Sequence, residues 1–132
     1  MSIPVAFNNQ LDKFLDELIQ TYPEDKDFAY YKRLIDNLKK FNIRKPIELF
    51  ASVVQRHTKL IQDRDSDFFF NNFSSIVSSE TTNANSQAEA FRLFDNIKKY
   101  WAEMPEENRK VIWDYLNVLM KLSMSHLLTT MK

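Results

Sequence analysis

Two histidines, a run of spaced aspartates and a cluster of serines are the side chains with which this chain could do chemistry. A helix-borne metal site needs ligands three or four residues apart, because that spacing puts them on one face. His57 and His126 have no such partner: the chain contains neither a His-x-x-x-His nor a Glu-x-x-His pair. His57 falls on the apolar face of a helical stretch, the place of a hydrogen-bonded core imidazole. His126 falls near the C-terminal end, where a cation complements a helix terminus. Asp63, Asp65 and Asp67 imitate the opening of a calcium loop, but Phe68 occupies the sixth place, which needs Gly, and Ser74 the twelfth, which needs a bidentate Glu. Helix termination and N-capping account for these aspartates.

The other kits are missing as well. Ser74, Ser75, Ser78 and Ser79 have no nucleophile-elbow context. The carboxylate pairs Asp16/Glu17 and Glu106/Glu107 belong to a solvent face and a helix start. Asn72-Phe73-Ser74 matches a glycosylation acceptor that stays unmodified without a signal segment. With no cysteine, thiol catalysis, disulfides and cysteine-ligated metals are excluded. With no glycine, where an average chain of this length has about nine, the loops that let backbone approach a pyrophosphate are excluded too. The reading is therefore no enzyme, no cofactor and no metal.

Two features remain as candidate contact sites. Residues 28–64 carry nine basic groups against Asp36, Glu48 and Asp63, and Lys39, Lys40, Arg44 and Lys45 form a candidate anion-binding patch. Phe68, Phe69 and Phe70 point in three directions on a short helix. Two are expected in the core, and the third is a candidate partner anchor beside a polar loop.

Apolar periodicity supplies the elements that must hold these groups. Phe7, Leu11, Phe14, Leu15, Leu18, Ile19 and Tyr22 recur at helical spacing until Pro23. A second helix runs from about Asp25 to Phe41, with Phe28, Tyr31, Leu34, Ile35, Leu38 and Phe41 on one face and Asn42 as left-handed C-cap. Pro46 opens a third, carrying Ile47, Phe50, Val53, Val54, His57 and Ile61. A short helix holds Phe68–Phe70 and Phe73, and residues 74–85 form a polar loop. Ser86-Gln87-Ala88-Glu89 fits a capping box ahead of Phe91, Phe94, Ile97, Trp101 and Met104. Pro105 starts the last helix, with Val111, Ile112, Tyr115, Leu116, Leu119 and Leu122 inward. The fold class is all-α: one domain over residues 1–132, a compact bundle of five main helices plus a short one.

Three segments, Phe7-Asn8-Asn9-Gln10, Tyr22-Pro23-Glu24-Asp25-Lys26-Asp27 and Val111-Ile112-Trp113-Asp114-Tyr115-Leu116-Asn117-Val118-Leu119, frame most of the chain. In them it resembles small helical proteins encoded by large nucleocytoplasmic DNA viruses, including those infecting algae. The group has no assigned catalytic residues. The resemblance implies a viral product that is packed in the virion or acts in the host cytoplasm.

These readings set the expectation of a non-enzymatic interaction or structural protein, a virion component or assembly accessory working by protein–protein contact. Its partners would be virion proteins, other proteins or a second copy of itself. Zero net charge gives no global steering to nucleic acid, so a nucleic-acid-associated protein using residues 39–45 is the alternative. No apolar run reaches transmembrane length and no signal segment opens the chain, so an intracellular, non-secreted location is expected.

Overall fold

The computed structural model describes residues 2–54, 58–67, 69–71 and 92–130, apart from the Val53 side chain. All regular structure among them is helical. Helix α1 spans Ile3–Thr21: the Ser2 hydroxyl accepts from the Val5 N–H at 3.3 Å, and Pro4 sits in the first turn, where its missing N–H costs no bond. Its buried face is Phe7, Leu11, Phe14, Leu15 and Leu18. Helix α2, Lys26–Phe41, starts on Asp25, whose Oδ1 accepts from the Asp27 N–H at 2.9 Å, and buries Phe28, Ile35 and Leu38. The long apolar stretch after Pro46 is described as α3, Lys45–Val54, and α4, Thr58–Gln62. Residues 66–67 and 69–71 are also helical. Helix α5 spans Leu93–Trp101 and α6 spans Glu106–Thr130.

The 25-residue α6, about 37 Å long at 1.5 Å per residue, is the spine: α1, α3 and α4 pack on it. Helix α2 lies against α1, α3 and α5. Buried side chains from these helices make one core. Phe94 is its aromatic hub, with ring centroids 6.3 Å from Phe14, 6.5 Å from Phe50 and 6.0 Å from Phe69. Beyond the area each ring buries, such tilted and edge-on pairs contribute about 0.5–1.5 kcal/mol apiece.

Three local expectations need correction. Asn42 is extended (φ −158°), not left-handed. Its N–H closes α2 on the Leu38 carbonyl at 2.9 Å while its Oδ1 accepts from the Arg44 N–H at 2.9 Å, so a side-chain turn replaces the left-handed cap. The positive φ falls instead on Arg64 (55°). There the Asp65 N–H reaches the Leu60 carbonyl at 3.0 Å and the Arg64 N–H reaches Ile61 at 3.2 Å, the paired bonds of a Schellman ending to α4. Phe41, expected on the inner face of α2, is 79% exposed, because the core ends at Leu38 and the last turn overhangs it. On α6, Val111 is 42% exposed and Trp113 is buried in its place. Phe69, Phe70 and Trp101 draw the inner face round toward Trp113, which lies 5.6 Å from Phe69 and 5.7 Å from Trp101.

Candidate interaction surface

Of the predicted basic patch, Lys39 is already used inside the fold. Its Nζ meets both carboxylate oxygens of Asp12 at 3.0 and 2.8 Å and Asp36 at 3.1 Å. Burial alone would pull its pKa down, but its hydrogen bonds to Asp12 and Asp36, and their charge, hold it above the usual lysine value. Lys39 thus ties α2 to α1 and leaves the candidate patch. Lys40 and Arg44 are exposed and Lys45 half-buried, and none of the three has an ion-pair partner among the described residues.

Between those cations stand Phe41 and Ile43, 79% and 49% exposed. The corner they occupy is rigidly built. Besides the Asn42 turn, the Lys45 N–H reaches the Asn42 carbonyl at 2.9 Å and the Glu48 N–H reaches Arg44 at 3.0 Å, so α3 begins at once. From α1, Asn8 Nδ2 donates to the Ile43 carbonyl at 3.0 Å. Asn8 is 5% exposed, and its own Oδ1 meets no donor among the described residues. An apolar tip with a rim of unpaired cations suits an acidic surface that has an apolar centre.

The phenylalanine cluster behaves otherwise. Phe69 and Phe70 are 1% and 4% exposed, in edge-on contact with each other at 5.3 Å, and Phe70 stacks its edge on Trp101 at 5.0 Å. Neither presents its ring to solvent, so these two are the core members expected of the three, and the anchor role falls to Phe68 alone. Phe68, the loop at 74–85, Phe73, Phe91 and the capping box at Ser86 lie outside the described residues, as does His57. His126 is buried near the end of α6, lining a cleft with Arg44, Glu48, Ser52 and Thr130. Asp63, Asp65 and Asp67 assemble no metal-ligand group among the described residues; the Asp65 carbonyl accepts from the Phe69 N–H at 2.9 Å, as a helix start does.

A second polar cluster went unread in the sequence. Tyr100 O–H and Asn96 Nδ2, the latter at 3.1 Å, both donate to Asp25 Oδ2, while Tyr22 stacks on Tyr100 with centroids 4.1 Å apart. Burial pushes the Asp25 carboxyl up, but hydrogen bonds from Tyr100, the Asp27 N–H and Asn96, with the charge of Lys99, outweigh it and hold it below the usual value. The same bond to Asp25 is the main reason the Tyr100 hydroxyl is pushed up to about 12. The cluster clamps the start of α2 to α5 across 71 residues or more of sequence, a separation that helical periodicity does not register.

The exposure of Phe41 has only a faint signal in the chain: cations on both sides of an aromatic, immediately ahead of a helix-starting Pro46. No helix among the described residues is long and apolar enough to cross a membrane. Comparison of the chain with known protein families, with curated proteins and with solved structures finds no match.

Proposed function

We propose that this chain is a non-enzymatic interaction protein that engages another protein through the α2–α3 corner. The observation that carries the reading is Phe41, 79% exposed between Lys40 and Arg44 while Phe7, Phe14, Phe28, Phe50, Phe69, Phe70 and Phe94 are buried. Burying an exposed Phe or Ile side chain is worth about 1.5–3 kcal/mol. Two adjacent ones make a contact centre of the kind that dominates protein interfaces, and the basic rim favours an acidic partner. Affinity capture from the native source tests this. Phe41→Ser should lose the partner while its unfolding curve stays unchanged; an unaltered set of captured proteins would sink the reading. The further role as a virion component or assembly accessory is supported by the resemblance to viral helical proteins, and mass spectrometry of purified particles tests it.

One observation favours a second reading. Lys40, Arg44 and Lys45 have no ion-pair partner among the described residues and stand beside an open aromatic face, which can stack a base while the cations hold phosphates. Retention on immobilised single strands that falls steeply with added salt is then expected. Indifference to nucleic acid at about 50 mM salt removes this alternative.

A further inference from the structure

His126 is 7% exposed, yet no hydrogen bond or ion pair among the described residues uses its side chain. Its ring nitrogens are not sealed either, since Asn8 Oδ1 is the one sealed and unpartnered side-chain polar atom among those residues. They therefore open into the cleft that the ring lines, between α3 and the last turns of α6. Buried polar groups ordinarily have partners, so a buried imidazole turned unpartnered into a cleft marks a place for a ligand.

The rest of the lining says which ligand. Arg44 and Glu48 stand one helical turn apart at the start of α3, about 6 Å along its axis, the spacing at which opposite charges pair on a helix. Neither is ion-paired, with the other or with any described residue, so a cation and a carboxylate both stay open to the cleft. Ser52 and Thr130 line it too. Their hydroxyls donate to carbonyls of their own helices, Leu49 at 2.8 Å and Leu127 at 3.1 Å, which leaves their lone pairs to accept. Glu48, Ser52 and Thr130 are thus acceptors for an ammonium with its three N–H groups, while Arg44 and an imidazole N–H are donors for a carboxylate. Leu127 adds an apolar wall. The cleft has a volume of about 290 Å³, at the lower end of ligand clefts, roughly 300–1,000 Å³, which suits a single small molecule.

We infer that the α3–α6 cleft binds a small zwitterion, a free α-amino acid with an apolar side chain, holding its carboxylate on Arg44 and His126 and its ammonium on Glu48. The site goes beyond the corner as a protein contact and shares only Arg44 with it. L-Leucine titrated into the isotope-labelled full chain, followed by NMR at the His126 ring, tests it; His126→Gln identifies that signal among the two histidines. The ring signal should shift and saturate. Leucinamide, which lacks the carboxylate, and isocaproate, which lacks the ammonium, should bind at least about tenfold more weakly, the loss of one charge-assisted hydrogen bond. Glu48→Gln should erase the advantage of leucine over isocaproate, and Arg44→Gln its advantage over leucinamide. Both positions are exposed, which keeps the fold out of question.

A His126 signal unmoved by tens of millimolar leucine overturns the inference. So does leucinamide or isocaproate binding as tightly as leucine, since the cleft then reads only one of the two charges. Leucine binding that survives both Glu48→Gln and Arg44→Gln places the ligand elsewhere and overturns it as well. Phe41→Ser should leave leucine binding unchanged, and Glu48→Gln should leave the captured protein unchanged, so cleft and corner fail by different variants.

Discussion

Arg64 is the one non-glycine residue with positive φ among the described residues, in a chain that has no glycine to place there. A side chain in this region crowds the backbone, and Gly at the same helix-ending position avoids the strain. The guanidinium does reach Asp114 at 2.7 Å, but both side chains are well exposed, and such pairs contribute little. Arg64→Gly should therefore stabilise the fold by about 0.5–1 kcal/mol, the left-handed penalty of about 1–2 kcal/mol less the roughly 0.5–1 kcal/mol that Gly loses in chain entropy, read as a higher urea midpoint. Asp25 and Tyr100 make the residue-scale prediction for pH. The folded-state pKa of Asp25 is depressed, so its contribution is fully present above the unfolded value of 3.8 and lost as pH falls through the folded value. Tyr100 is raised from 10.0 to about 12, so its contribution is present below pH 10 and lost as pH climbs toward 12. Thermal melts of Tyr100→Phe should show the alkaline loss flattened and the acid loss reduced. Two unchanged pH profiles would mean that the clamp does not stabilise the fold.

At the scale of elements, the two ends of the phenylalanine story separate. Phe69 sits between Phe70, Phe94 and Trp113, and Phe69→Ala should cost about 3–5 kcal/mol in chemical denaturation, the cost of a buried aromatic removed with incomplete collapse. Phe41→Ala, on an overhanging turn, should change stability by no more than about 0.5 kcal/mol. The stripe and end of α1, the start and end of α2 and the start of α3 were legible, because Pro23, Asp25, Asn42 and Pro46 signal locally. Which way a stripe faces at its last turn was not. Phe41 continues the spacing of Leu34 and Leu38, but burial depends on whether another helix extends that far. Trp113 and Val111 exchange roles for the same reason, since the neighbours of α6 settle its inner face.

For the molecule as a whole, 18 basic and 18 acidic residues cancel, and the isoelectric point is near pH 6.7. Without net repulsion between copies, solubility should pass through a minimum close to that pH and recover on either side. Turbidity of concentrated samples across pH 5–9 would show it; a flat profile would mean that net charge does not govern association. The cancellation is uneven in space. Lys39 neutralises Asp12 and Asp36 within the fold, while Lys40, Arg44 and Lys45 at the α2–α3 corner have no ion-pair partner among the described residues.

Which chemical kits this chain lacks is read from absence and spacing, which are one-dimensional properties. A sequence without Cys or Gly, and without a ligand-spaced His, excludes those kits before any folding is considered, and its 3.6-residue periodicity makes it helical. The contact surface was another matter. Lys39 and Lys40 are neighbours of the same type, yet one is spent on Asp12 and the other faces solvent, because α1 passes beside only one of them. Burial and pairing are relations between segments distant in sequence, such as Asp25 with Tyr100 or Asn8 with Ile43, and they exist only once the helices pack.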